Sequence, residues 1–167
     1  MQPKISLTAA IAAVALFAAG CGGTIQSTAS ASPSPNAAAS AAPSAAASGT
    51  TIAVATNAKL GQILVDGKGM TVYLFVADTG TSSNCYTTCA QIWPPVLTTG
   101  PPQPGAGVQA SLLGTTTRTD GKIEVTYSGH PLYYFVQDKQ SGDTTGQGVN
   151  GFGGLWWVLS PSGTAIH

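Results

Sequence analysis

The chain carries little charge. Its 167 residues include only six Lys or Arg and six Asp or Glu, and the formal net charge is zero. A protein that binds nucleic acid needs a basic patch to contact phosphates, and no segment of this sequence supplies one. We therefore expect no nucleic-acid partner.

Histidine, cysteine and long apolar runs are also scarce. Two His and three Cys are too few for the clustered ligands of a metallohydrolase or for a disulfide-dense miniature scaffold. No Gly-x-Ser-x-Gly nucleophile elbow occurs, and only one apolar run approaches membrane length, which argues against a polytopic membrane protein. We predict no enzymatic activity, no metal site and no cofactor.

Residues 1–20 have the parts of a secretory signal peptide. Lys4 gives a positive start, residues 5–19 are apolar, and Gly20 precedes Cys21. The apolar run is shorter than the roughly 20 residues that cross a bilayer. The Gly20-Cys21 pair resembles a bacterial lipobox, in which signal peptidase cuts before the cysteine and Cys21 is then acylated. The alternative is ordinary secretion with an unmodified Cys21.

Residues 21–50 are predicted to be a lipidated cysteine followed by a disordered tether. After Cys21 the segment is mostly Ala, Ser, Pro, Gly and Thr, with no charged or aromatic residue. Such a segment buries too little surface to offset the entropy lost on ordering. We expect an exported protein that is anchored to the outer face of the bacterial cell membrane or lies in the cell envelope, with the membrane as a partner through the lipid.

Residues 51–167 contain an internal repeat. Residues 62–78 and 122–138 align without a gap and share seven identical positions of 17. Chance is a poor explanation, so we infer two copies of one unit, at about residues 51–100 and 111–167. Two copies are expected to pack about a pseudo-twofold axis and share one core.

Each unit has a β pattern. Residues 63–76 are predicted to form a hairpin that turns at residues 67–69, because β-branched and aromatic residues flank turn-forming ones. Residues 122–136 give the equivalent hairpin, residues 155–166 a closing hairpin, and residues 85–92 a short helical turn. The predicted fold class is mainly β, with small antiparallel sheets from two tandem repeats.

Each repeat carries the motif Tyr-x-(Phe/Trp/Tyr)-x-x-Asp, and the Tyr and Phe of each motif share one face of a strand. The chain resembles the bacterial secreted-repeat lipoproteins named for this motif, also at residues 85–95, 118–121 and 142–148. The resemblance implies a cell-envelope lipoprotein and no established activity. Glu124 stands where such proteins often have Gln. The motif residues are Tyr73, Phe75, Asp78, Tyr133, Phe135 and Asp138.

Cys85 and Cys89 are predicted to form a disulfide. In an exported protein, two cysteines four residues apart on a turn lie within bonding range. The alternative function is an exported redox or copper-handling accessory protein that uses Cys85 and Cys89 as soft ligands. Met70 and His130, which occupy equivalent positions in the two repeats, and His167 are the further ligands available in the mature chain.

The remaining polar and aromatic residues leave two interpretations open. Asp78, Asp138 and Asp143 are either an acid/base or cation set, or residues that cap turns, and repetition favours capping. Adjacent Trp156 and Trp157 must face opposite sides of their strand, so one of them is expected to be exposed, and Tyr134 faces away from Tyr133 and Phe135. An exposed aromatic pair would bind a sugar, a quinone, haem or a protein. We therefore predict a non-enzymatic binding or structural module for an envelope protein, a glycan or a small aromatic ligand.

Overall fold

The computed structural model describes residues 49–167. The signal peptide predicted for residues 1–20, the lipidated Cys21 and residues 22–48 of the tether lie outside this part. The elements are β1 Thr51–Asn57, β2 Gly61–Asp66, β3 Tyr73–Phe75, α1 Thr88–Ile92, β4 Gln103–Pro104, a short 3-10 helix Ala110–Leu112, β5 Leu113–Thr117, β6 Ile123–Tyr127, β7 His130–Pro131, β8 Asn150–Gly151 and β9 Gly154–Val158.

The strands form three small sheets, in the orders β2-β1-β4, β3-β9-β8 and β5-β6-β7. All named pairs are antiparallel except the short parallel pair of β1 and β4. Two hairpins, β1-β2 and β5-β6, occupy equivalent places in the two repeats. The prediction of a mainly β fold with small antiparallel sheets is confirmed.

The predicted hairpins form only in part. β2 pairs along its length with β1, and beyond the turn only Val65 forms a bridge, with Thr71. β6 likewise pairs with β5 and with only two residues of β7. β1 and β5 are not predicted from the sequence, because both consist largely of Ala, Gly and Thr, which form a weak hydrophobic pattern. The predicted helical turn is shorter than expected, since α1 begins at Thr88.

The turns after β2 and β6 share a left-handed glycine. Gly69 has a φ of +84° and Gly129 a φ of +81°. Residues with a Cβ rarely adopt this left-handed region, so glycine fits the turn after β2 and after β6 for the same reason. The turns differ one residue earlier, where Ser128 has a φ of +51° and the equivalent Lys68 does not have a positive φ.

The repeats meet at Tyr73 and Tyr133. The amide of Tyr73 donates to the carbonyl of Tyr133 at 2.9 Å, and the amide of Tyr133 donates to the carbonyl of Tyr73 at 3.0 Å. A reciprocal pair of bonds between equivalent residues places a pseudo-twofold axis between them. The predicted packing of two repeats around such an axis is confirmed.

Aromatic rings from both repeats stack at the centre of the core. The rings of Trp93 and Trp156 are parallel, with centroids 4.0 Å apart and an angle of 3°. Phe135 stacks on the outer face of Trp93 at 4.2 Å, and Phe75 stacks on the outer face of Trp156 at 4.1 Å. Each Trp therefore packs against the Phe of the other repeat, and the shared core holds the repeats together.

None of the helices within residues 49–167 has the length and apolar character of a transmembrane span.

Candidate functional site

The motif Tyr and Asp residues join the two repeats. Tyr73 Oη donates to Asp138 Oδ2 at 2.5 Å, and Tyr133 Oη donates to Asp78 Oδ2 at 2.7 Å. Burial, followed by contact with Asp138, raises the pKa of Tyr73, and burial raises the pKa of Tyr133. Both hydroxyls therefore keep their protons and act as donors.

The second oxygen of each Asp holds a loop. Asp78 Oδ1 accepts from the amide of Asn84 at 2.7 Å, before the Cys85 loop. Asp138 Oδ1 accepts from the amide of Thr145 at 2.9 Å, in the Gly-rich loop. Both aspartates thus accept backbone N–H bonds, as residues that cap turns do, and also form the contact between repeats. Asp143 accepts from the amides of Lys139 and Gln140.

The Gly-rich loop of the second repeat lies against the aromatic stack. A Cβ at Gly146 would lie 2.7 Å from the ring of Trp93, so no larger residue fits there. In the first repeat the corresponding loop is closed by a disulfide between Cys85 and Cys89, whose Cα atoms are 5.2 Å apart. The predicted disulfide is confirmed.

The disulfide bears on the copper and redox alternative. Cys85 is fully buried, Cys89 is 6% exposed, and a bonded pair offers no thiolate to a metal. Within residues 49–167, no three or more His, Cys, Asp or Glu side chains are grouped in a way that could hold a metal ion. Met70 and His130, although equivalent in the repeat, do not line a common cavity with the cysteines.

Arg118 and Glu124 form a buried ion pair beside the disulfide. Arg118 Nη1 lies 2.6 Å from Glu124 Oε2, and the side chains are 1% and 0% exposed. Arg118 also donates to Ser83 Oγ at 2.9 Å and to the carbonyl of Cys85 at 2.6 Å. Arg118 therefore ties the second repeat to the disulfide loop of the first. The sequence interpretation did not identify this role, although the segment 118–121 was part of the family resemblance.

Glu124 titrates in an unusual range. Burial raises its pKa to about 7, although the hydrogen bond and charge of Arg118 lower it. Its Oε1 has no hydrogen-bond partner within the described residues. Burial lowers the pKa of Arg118, but contact with Glu124 raises it more, so Arg118 stays charged. The pair is thus a buried guanidinium beside a carboxyl group that changes charge near neutral pH.

Both histidines of the chain line one cavity. It has a volume of about 510 Å³ and opens to solvent, and we call it the Trp157 cavity. The cavity is lined by residues from four parts of the chain. These are β3 with the residues that follow it, the turn between β6 and β7, strand β9, and the C-terminal segment. The lining includes Leu74, Val76, Asp78, His130, Trp157 and His167.

The aromatic residues predicted to point outward have different surroundings. Trp156 is fully buried and Trp157 is half-buried, so the adjacent pair faces opposite sides as predicted. The ring of His167 meets the ring of Trp157 edge-on, with centroids 4.6 Å apart. Tyr134 is half-buried and donates to Asp66 Oδ2 at 3.0 Å. Trp157 alone faces the cavity, so the two do not form an aromatic pair there.

The Trp157 cavity interrupts the symmetry of the domain. Leu74 pairs with Trp157 across β3 and β9, and in the other half Tyr134 donates its amide to the carbonyl of Pro94 at 2.8 Å. Tyr134 and Pro94 are thus the counterparts of Leu74 and Trp157. The counterpart of His130 is Met70. The other half has the corresponding backbone contact, but Met70, Pro94 and Tyr134 stand there in place of His130, Trp157 and Leu74.

Ser128, His130 and Asp78 all line the cavity. No hydrogen bond joins any two of these side chains in the described part of the chain, whereas an assembled nucleophilic triad needs both links. Asp78 is instead bonded to Tyr133 and Asn84.

A family model matches residues 54–97 and 114–160, which together make up more than half of the chain. Its description is a secreted repeat of unknown function, and the two matched stretches fall within the two predicted repeats. No curated protein and no solved structure is significantly similar to the chain. The chain therefore belongs to the Lipoprotein_15 family of secreted repeats.

Proposed function

We propose that this protein is a lipid-anchored protein of the cell envelope whose two-repeat domain binds a small ligand and does not catalyse a reaction. Membership of a family of secreted repeats indicates export. The apolar N-terminal segment that ends in Gly20-Cys21 supports attachment through a lipid. Binding is assigned to the Trp157 cavity.

One observation carries the assignment. Residues that the fold requires recur in both repeats, as Tyr73 and Tyr133 do at the axis. His130 and Trp157 do not recur, because Met70 and Pro94 replace them in a half with the same backbone frame. Side chains that the frame does not need, and that converge on a cavity with an apolar wall, are candidates for ligand contact.

The test uses the full chain solubilised in detergent and compares His130→Ala with Met70→Ala. The panel contains neutral oligosaccharides, hydroquinone, choline and haem, and the readouts are the thermal midpoint and tryptophan fluorescence. We expect at least one compound to raise the midpoint of the wild type and of Met70→Ala but not of His130→Ala. Trp93 and Trp156 are buried in the core, so the fluorescence change should come from Trp157 and vanish in Trp157→Phe.

A panel without any response would contradict the proposal, as would a ligand whose effect is the same in His130→Ala and Met70→Ala. Turnover of a panel compound that requires Ser128 or His130 would contradict the non-enzymatic part of the proposal.

A further inference from the structure

Resting on the proposed function, we infer that the ligand of the Trp157 cavity is a neutral sugar ring, such as a pyranose unit of an envelope glycan. The inference depends on three properties of the lining: its charge, its free hydrogen-bonding groups and its apolar wall. The charge disfavours anions, the free hydrogen-bonding groups disfavour quinones and haem, and the apolar wall matches the C–H face of a sugar ring.

The charge of the cavity disfavours anions. Asp78 is the only Asp or Glu in the lining, and no Lys or Arg is present among the lining residues. The position equivalent to Ser128 in the other repeat is Lys68, so the half that forms the cavity lacks a cation that its twin has. A phosphate, sulfate or carboxylate on the ligand would face Asp78 with no Lys or Arg in the lining to pair with it, which is costly where water is partly excluded.

The free polar groups favour a ligand with hydroxyls. Each oxygen of Asp78 accepts one bond from the protein, and an ionised carboxylate has about four acceptor positions. The imidazoles of His130 and His167 have no hydrogen bond within residues 49–167, and each neutral imidazole offers one donor and one acceptor. The lining can therefore accept several O–H groups and also donate.

The presence of both hydrogen-bond donors and acceptors in the lining argues against quinones and haem as ligands. The carbonyls of a quinone only accept hydrogen bonds, so they would leave the remaining acceptor positions of Asp78 unmatched in the complex. The ring edge of haem is apolar apart from two propionates, which would be repelled by Asp78. A pyranose carries both donors and acceptors around its edge and has an apolar C–H face.

The apolar wall of the cavity can pack against the C–H face of a pyranose. Leu74 and Trp157 lie side by side on paired strands, and Val76 beside them is 56% exposed. Because Trp157 is half-buried and its ring borders the cavity, a ring with an apolar face can bury Trp157 and Val76 together. The volume of about 510 Å³ lies in the range of small-molecule sites.

The test is calorimetric titration of the full chain in detergent with triacetylchitotriose and with maltotriose, alongside duroquinone, a quinone without O–H groups, and haem. Two pairs of variants serve as site change and matched control: Asp78→Asn with Asp138→Asn, and His130→Ala with Met70→Ala. Asp138 forms the same bond to a tyrosine as Asp78 but does not line the cavity. A thermal midpoint is recorded for every variant, so that loss of folding is recognised.

We expect at least one oligosaccharide to bind. His130→Ala and Asp78→Asn should weaken that binding at least tenfold, and Met70→Ala and Asp138→Asn less than twofold. If Asp78→Asn does not fold, the comparison of His130→Ala with Met70→Ala decides. Binding of duroquinone or haem at the cavity with no heat from either sugar would overturn the sugar assignment and leave the binding function intact. If none of the four probes binds, both the sugar assignment and the binding function are overturned. If His130→Ala and Met70→Ala weaken binding equally, the assignment of the site to the Trp157 cavity is overturned.

Discussion

Tyr73 and Tyr133 exchange backbone hydrogen bonds at the pseudo-twofold axis, and each sends its hydroxyl to the aspartate of the other repeat's motif. The tyrosine and the aspartate of one motif therefore act on different partners. The motif therefore connects the two repeats: its tyrosine donates a hydrogen bond to the other repeat, and its aspartate accepts one from the other repeat.

Removal of one hydroxyl tests this connector. Tyr73→Phe should lower the free energy of unfolding by about 1–3 kcal/mol, because it leaves an oxygen of the buried Asp138 without its donor. Tyr133→Phe should cost less than Tyr73→Phe, because its partner Asp78 is half-buried and can bond to water instead. Urea unfolding measures the loss. Tyr86→Phe, which changes a hydroxyl at the exposed edge, is the control and should cost less. Unchanged urea midpoints in both motif variants would show that the cross-repeat bonds do not stabilise the domain.

Glu124 should make stability depend on pH. The pKa of Glu124 is about 7 in the folded protein and near 4.5 in the unfolded chain, so between these values the folded state holds more protons. Stability should then fall as pH rises from about 4.5 to about 7, by on the order of 3 kcal/mol at most.

The measurement is urea unfolding at several pH values for the wild type and for Glu124→Gln. The difference between the two proteins isolates Glu124, since Asp78, whose pKa burial also raises, titrates in both. The variant should lack the part of the slope between pH 5 and pH 7. If the free energy of unfolding depends on pH equally in both proteins, a group other than Glu124 causes the dependence.

Replacement of both cysteines should lower stability modestly. Because Cys85 and Cys89 close a loop of only a few residues, the chain-entropy contribution of the disulfide is about 2 kcal/mol. Cys85→Ala/Cys89→Ala should lose about that amount in urea unfolding under oxidising conditions. In the native protein the buried sulfurs should react with dithiothreitol far more slowly than in 6 M urea, as followed by thiol labelling. Equally fast reduction in both conditions would mean that the loop opens readily.

The turn between β8 and β9 offers a stabilising change. Phe152 has a φ of +57° and Gly153 a φ of +90°, and Phe152 is 48% exposed. Asn-Gly is the preferred pair for a two-residue hairpin turn with two positive φ angles. Phe152→Asn should therefore raise the free energy of unfolding by about 0.5–1 kcal/mol. A lower thermal midpoint would mean that the Phe152 ring makes a contact worth more than the backbone strain.

Lipid attachment at Cys21 is open to direct measurement. Cys21→Ala should release the protein from the membrane, because loss of the acyl chains removes about 0.8 kcal/mol for each buried CH₂ group. Phase partition in a cloud-point detergent should move the protein from the detergent phase to the aqueous phase. The double variant Cys85→Ala/Cys89→Ala is the control and should stay in the detergent phase. Retention of Cys21→Ala in the membrane fraction would contradict the lipobox interpretation.

Much of the fold could be predicted from the sequence, because the aligned repeats showed which residues recur. Tyr73, Phe75 and their twins were placed on one buried face by strand alternation alone. β1 could not be predicted since its Ala and Thr residues carry little hydrophobic signal, and its partner β2 was assigned to another strand. Arg118 was missed because its partner in the first repeat, Ser83, is 35 residues away.

The cavity could not be predicted from the sequence either, because it also depends on contacts between distant segments. Its lining comes from separate segments, so no local pattern marks it. The equivalence of Met70 and His130 suggests a symmetric pair in the sequence, but His130 lines the Trp157 cavity and Met70 does not. The informative signal is a difference between the repeats. A position where two otherwise similar repeats carry different residues indicates a role beyond the fold that they share.

The exchanged Tyr–Asp contacts also constrain how such a domain can arise. A chain with one repeat would carry a tyrosine and an aspartate that do not satisfy each other, and it would complete them only by assembling with a second identical chain. Joining two copies in tandem makes that assembly independent of protein concentration. Once both copies sit in one polypeptide, either can change its surface alone, which a symmetric homodimer cannot do.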